Sequence, residues 1–192
     1  MGKFFFTLQQ SYKQREKIYA IQNDNHRITT ITRLNCDELK SKGINYIALD
    51  FDGVLAAHGQ PLPNKHITKW LKTFSNKFGE KNIFILSNKP TSLRAKYFAE
   101  NFPYITFVNN VKKKPYPDGL MWIQKKTNCV PQELALVDDR ILTGCLACVL
   151  ANSFPILITS PFTDFRKRPL QESFFGILRK IENYIFTINN NV

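Results

Sequence analysis

Between Ile44 and Thr159, short apolar runs and amphipathic stretches take turns along the chain, and this alternation restricts its fold more than any other feature. The runs at Tyr46–Leu49, Asn82–Leu86, Ile105–Val108, Glu133–Val137 and Pro155–Thr159 have the length of buried strands. The stretches 67–78, 91–101, 117–127 and 143–152 between them read as helices. Trp70, Leu71 and Phe74 share a face of the first, Thr91 stands as the N-cap of the second, and Pro117 lies in the first turn of the third. Strands separated by helices pair in parallel, which predicts an α/β, Rossmann-like fold: a central, mainly parallel five-stranded sheet flanked by helices.

A length of 192 residues suits one such domain. Three segments are expected: an N-terminal extension over 1–43 packed on the domain, a core over 44–159, and a helical extension over 160–192. In the last, Leu170, Phe174, Ile177, Leu178, Ile181 and Ile185 recur at helical spacing, as on an amphipathic helix. The simplest expectation is that this helix docks on the sheet. Arg166, Lys167 and Arg168 before it, together with Phe4, Phe5 and Phe6, would equally suit contact with an anionic membrane surface.

A net charge of +12 calls for an anionic partner, whether a phosphorylated small molecule, a phospholipid or nucleic acid. The MGKFFFTL start is far too short to span a bilayer. Cys36, Cys129, Cys145 and Cys148 read as reduced thiols of a cytoplasmic protein, the last two as buried helix residues, because no second Cys/His pair completes a zinc site.

In an open α/β sheet, ligands bind beyond the carboxyl ends of the strands. Polar residues follow the runs there: Asp50 and Asp52 in IALDFDGVLA, Ser87 and Asn88 in IFILSN, Lys114 in KKKPYPDG, and Asp138 and Asp139 in LALVDDR. Phosphoryl transfer explains the set, because a dianionic phosphate monoester needs positioning and positive charge above all. Asp50 and Asp139 can share a Mg²⁺, which removes the repulsion between carboxylate and phosphate and frees Asp50 to attack phosphorus. Asp52 can protonate the leaving alkoxide and then deprotonate water. Ser87 and Asn88 suit the phosphoryl oxygens, and Lys114 supplies fixed positive charge.

These motifs, in this order over Ile44 to Thr159, resemble those of the haloacid dehalogenase (HAD) superfamily: a D-x-D-G-V loop, a Ser after the second strand, a Lys before Pro, and an acidic pair after the fourth. The resemblance implies Asp50 as nucleophile, Asp52, Ser87 and Lys114 as its catalytic partners, and Mg²⁺ held by Asp50, Asp52 and Asp139, with Asp138 as a further candidate. The gaps between motifs, about 35 and 27 residues, hold one helix each, so no cap domain is expected. Within the capless group, the lead-in to the first strand, the WL helix and the SNKP segment resemble the phosphatidylglycerophosphate phosphatases of bacteria and mitochondria. That resemblance implies a phospholipid substrate and peripheral membrane contact. Gly53–Val54 and Gly144 depart from that family's usual Asn-Thr and second Asp. A phosphatase acting on nucleic-acid ends or a soluble phosphometabolite, and a non-catalytic binding protein, are the alternatives.

Overall fold

The computed structural model describes residues 2–22 and 26–187. The five expected strands form as β2 (Tyr46–Leu49), β3 (Ile83–Ile85), β4 (Thr106–Phe107), β5 (Leu134–Asp138) and β6 (Phe154–Ile158), and β1 (Arg27–Ile28) joins them at the edge. The sheet order is β1-β6-β5-β2-β3-β4, with every pairing parallel.

Because side chains alternate across a strand, the apolar runs supply two faces at once. Ile47, Leu49, Ile83, Ile85, Ala135 and Val137 enter one core, closed by α3 (Cys36–Ser41), α4 (Lys65–Phe78) and α5 (Ser92–Asn101). Ala48, Phe84, Leu134 and Leu136 enter the other, closed by α6 (Asp118–Thr127) and α7 (Leu146–Leu150). Helix starts follow the side chains present. Asn64 Oδ1 accepts from Ile67 N at 2.9 Å to cap α4, and Thr91 Oγ1 accepts from Arg94 N at 3.3 Å to cap α5. Asn128, in the left-handed region at φ 53°, ends α6.

From β2 the chain builds outward to β3 and β4, then returns to the opposite side of β2 for β5 and β6. The strand order therefore reverses between β2 and β5, and the crevice beyond their carboxyl ends is where such a sheet binds ligand. Among the described residues no domain is inserted there; α4, α5 and α6 make the crossovers from β2 through to β5.

Three features depart from the sequence reading. β1 adds a sixth strand, held by Arg27 and Ile28 in register with Leu157 and Ile158 of β6. The helix expected at 143–152 begins instead as a π-helical turn, Ile141–Cys145, before α7. The C-terminal helix α8 (Pro169–Thr187) does form, yet Leu170, Phe174, Ile177, Ile181 and Ile185 face solvent, and its polar side turns toward the sheet. At the other end, α1 (Lys3–Lys13) leads to α2 (Arg15–Ala20), whose Ile18 packs with Ile141, Leu146 and Leu157. Cys145 and Cys148 are buried free thiols whose pKa burial raises, consistent with an apolar packing role.

Candidate active site

Asp50 follows directly on β2, and its N–H still bonds to Val137 O of β5 at 2.9 Å, so the reversal of strand order itself places the carboxyl at the crevice. Asp138 ends β5 and Asp139 follows it. The carboxylates of Asp50, Asp138 and Asp139 offer oxygens all within 4.8 Å of one another, and all three are buried. Lys114 Nζ lies 2.5 Å from Asp138 Oδ2 and 3.0 Å from Asp50 Oδ1.

Close packing of the carboxylates strains the ionisation of Asp50 and Asp139. Burial first, then repulsion from Asp138, Asp139 and Asp52, push Asp50 up to about 8 despite Lys114. Burial and Asp138 push Asp139 up to about 7 against the pull of Arg179. Burial would lower Lys114, but attraction to Asp138 and Asp50 prevails and raises it. Asp50 Oδ1 is buried and, though close to the ammonium, receives no hydrogen bond of good direction. An orphaned carboxylate oxygen beside two further carboxylates is a donor set that fits a hard divalent cation such as Mg²⁺.

Asp52 is turned away from this triad. Its two oxygens accept from Arg94 Nη1 at 2.9 Å and Nη2 at 2.8 Å, and Gly59 N donates to Oδ1 at 3.0 Å. Burial alone would raise its pKa, but the Arg94 fork outweighs burial and holds the carboxyl below its ordinary value. The resemblance implied Asp52 as a further Mg²⁺ ligand; its carboxylate here accepts from Arg94. Ser87 is buried beside the same guanidinium, with Oγ accepting from Lys89 N at 3.1 Å. Asn88 and the Lys114 backbone exchange two hydrogen bonds, at 2.7 and 3.1 Å, so the Asn88 amide holds the lysine loop in place.

Two glycines make the triad possible. Gly53 sits at φ +85°, and a Cβ there would stand 2.6 Å from the Asp139 carboxyl. A Cβ on Gly144 would stand 2.0 Å from Asp138 Cγ. The departure at Gly144 thus has a physical reason: the Asp138 carboxylate fills the space into which a side chain at 144 would project.

A family model described as "Mitochondrial PGP phosphatase" matches residues 20–163, a span that holds every one of these motif residues. The chain belongs to this family. It is accordingly a phosphatase. Among curated proteins none matches the chain. Solved structures similar to it include a HAD-superfamily hydrolase from Ehrlichia chaffeensis, at 16% identity, covering 71% of this chain and 98% of that one with a TM-score of 0.44. An uncharacterized Corynebacterium glutamicum protein is 16% identical, with coverages of 70% and 95% and a TM-score of 0.46. An uncharacterized Listeria monocytogenes protein is 15% identical, with coverages of 59% and 78% and a TM-score of 0.47.

Several residues at the site of this family member escaped the sequence reading. Arg94 is 2% exposed and lies 3.7 Å over the Phe51 ring. Its only sequence signal is its place four residues before Phe98 on the inward face of α5. From α8, Arg179 Nη1 reaches Asp139 Oδ2 at 2.6 Å, while Glu182 accepts from the Arg140 side chain and from Ile141 N at the start of the π-helical turn. His58 stacks on Phe175 with ring centroids 4.1 Å apart, its Nδ1 3.5 Å from the buried Glu172. Lys3 of α1 and Phe175 of α8 border the same cleft of about 280 Å³ as Asp50 and Asp139. Among the described residues the site has no inserted cap, yet helices α1 and α8 both fold against its mouth.

Proposed function

We propose that the protein is a Mg²⁺-dependent phosphomonoesterase that works through an aspartyl-phosphate on Asp50 and removes the terminal phosphate of a phospholipid headgroup, phosphatidylglycerophosphate being the first candidate. The observation that carries this reading is the buried triad of Asp50, Asp138 and Asp139, three carboxylates of which Lys114 reaches two. Asp50, Asp138 and Asp139 would hold the Mg²⁺, which supplies positive charge to the phosphoryl oxygens and keeps Asp50 ionised.

In the first half-reaction an Asp50 oxygen bonds to phosphorus, the ester P–O bond breaks, and the leaving alkoxide takes a proton from Asp52. In the second, water attacks phosphorus and gives its proton to Asp52; inorganic phosphate leaves and the Asp50 carboxylate is restored. The Arg94 fork favours ionised Asp52, the form the second half uses, and slows the first. Lys114 balances charge on the transferred group, and Ser87 offers it a hydroxyl. The cleft cations Lys3 and Lys89 suit a substrate with anionic character beyond the reacting phosphate. The family's description is mitochondrial rather than the general cytoplasmic setting expected from reduced cysteines, and a membrane-bordering compartment suits this substrate.

Asp50→Asn tests the reading. Wild type is expected to hydrolyse phosphatidylglycerophosphate in detergent micelles only with Mg²⁺ and to form a hydroxylamine-labile phosphoprotein. The variant should do neither while keeping its circular dichroism spectrum. Turnover by Asp50→Asn within tenfold of wild type would sink the nucleophile assignment.

A further inference from the structure

The outer face of α8 is its apolar one. Leu170, Phe174, Ile177, Ile181, Tyr184 and Ile185 fall at steps of four, three, four, three and one, which is a single stripe along a helix. Leu170 is 87% exposed, Tyr184 69% and Phe174 57%. A helix of a monomeric soluble protein ordinarily turns such a stripe inward; here the inward face carries Glu172, Arg179 and Glu182, all engaged with the site. Helix α1 repeats the arrangement, with Phe4, Phe5, Leu8 and Tyr12 exposed while Phe6 stacks on Tyr116. Both helices border the catalytic cleft, α1 through Lys3 and α8 through Gln171 and Phe175.

Charge decides what covers this surface. The two acidic residues of α8, Glu172 and Glu182, are 0% and 3% exposed, and α1 contains none. The exposed charged groups on and before these helices are cationic: Arg166, Lys167 and Arg168 lead into α8, Lys180 lies on it, and Lys3 and Lys13 lie on α1. Apolar stripes with aromatic residues, flanked by cations and free of exposed carboxylates, suit an anionic lipid interface. A second copy would bring the same +12 charge against itself.

We propose that the outward face of α8, extended by that of α1, docks on an anionic lipid bilayer and so presents the cleft to phosphate groups in the headgroup layer. This deepens the lipid reading of the site and rests on it.

The test is co-sedimentation of the 192-residue protein with phosphatidylcholine vesicles and with phosphatidylcholine–phosphatidylglycerol vesicles, repeated for the triple variant Phe174→Ser/Ile177→Ser/Ile181→Ser. These positions are exposed and lie outside the cleft, so the variant should fold and should hydrolyse p-nitrophenyl phosphate as wild type does. Wild type should sediment with the anionic vesicles and not with the neutral ones. The variant should lose at least tenfold in partitioning and, in proportion, in hydrolysis of vesicle-borne phosphatidylglycerophosphate. Equal partitioning of the two proteins, or no binding of wild type to anionic vesicles, overturns the docking surface, as does a wild-type dimer that the triple variant converts to monomer. The lipid reading fails separately: docking with no turnover of phosphatidylglycerophosphate, in vesicles or micelles, leaves the surface standing and removes the substrate.

Discussion

Gly144→Ala should be severely destabilising, and the cost can be worked out from the Asp138 carboxylate. The new Cβ would lie 2.0 Å from Asp138 Cγ and 2.2 Å from its Cβ and Oδ2, far inside van der Waals contact. Asp138 Cβ is fixed by the backbone, so side-chain rotation alone cannot relieve the collision: the backbone must shift, and the Asp138 carboxylate leaves its place with it. It would surrender the 2.5 Å contact from Lys114 and the 2.9 Å bond from Arg140 N. Overpacking costs about 1–3 kcal/mol, and breaking a buried ion pair about 3–5 kcal/mol. Asp50 still faces Lys114, so the lower half of the combined range, roughly 4–6 kcal/mol, is expected. That is a large share of the ~5–15 kcal/mol typical of a domain. Asp138→Gly should itself cost a few kcal/mol by stripping a buried lysine of a partner. Asp138→Gly/Gly144→Asp returns a carboxylate to the same space from the other side, so the double variant should be more stable than the sum of Asp138→Gly and Gly144→Asp predicts by about 2–3 kcal/mol. Urea unfolding followed by tryptophan fluorescence, without Mg²⁺, measures all of these. Strict additivity, or a Gly144→Ala cost under about 0.5 kcal/mol, would refute the spatial exchange.

Arg179→Gln removes a cation that competes for Asp139, so Mg²⁺ should bind at least several-fold more tightly by isothermal titration calorimetry; unchanged affinity would show that Asp139 is not a ligand. Arg94→Met leaves the Asp52 carboxylate without its fork, and unfolding in urea should come easier by about 3–5 kcal/mol. Asp50 and Asp139 hold protons up to about 8 and about 7, so Mg²⁺ binding should release protons, with affinity rising between pH 6 and 8 and levelling above; a buffer-independent calorimetric enthalpy at pH 7 would contradict this. For the metal-free protein the sign follows from the raised values. The folded state keeps these protons more tightly than the unfolded chain, so this contribution to stability is full in acid and fades as pH rises through 7 and 8.

What could be read from the sequence was whatever one segment expresses by itself. Asp50, Ser87 and Asp139 each follow an apolar run, and the parallel order of those runs already places their ends along one edge. Lys114 was legible because Pro115 follows it. Partnerships across long separations left no local mark: Arg94 with Asp52, Arg179 with Asp139, and Glu182 with Arg140 are joined only by the fold. β1 escaped because Arg27–Ile28 has no apolar run, and only the backbone of β6 makes it a strand. The period of α8 announced a stripe but not its direction. Direction depends on what the opposite face can reach, and Glu172, Arg179 and Glu182 reach the active site.

Access to a capless phosphatase site depends on the groups that surround its mouth. The catalytic carboxylates and lysine sit at strand ends of the central sheet, while the groups around the mouth, Lys3, Gln171, Phe175 and Arg179, come from the chain's first and last helices. Neither helix is held by a large apolar contact of its own on the sheet. α8 is held chiefly by ion pairs and buried hydrogen bonds, among them Glu182 to Arg140 and Glu172 to Asp164 N. Such bonds lose strength when the groups they serve acquire other partners. A divalent cation at Asp139 competes directly with Arg179, so filling the site should loosen the grip of α8 on the cleft. Amide hydrogen exchange of 169–187 with and without Mg²⁺ reads this out. Faster exchange in the presence of the ion is expected, and identical exchange would separate the helix from the metal site.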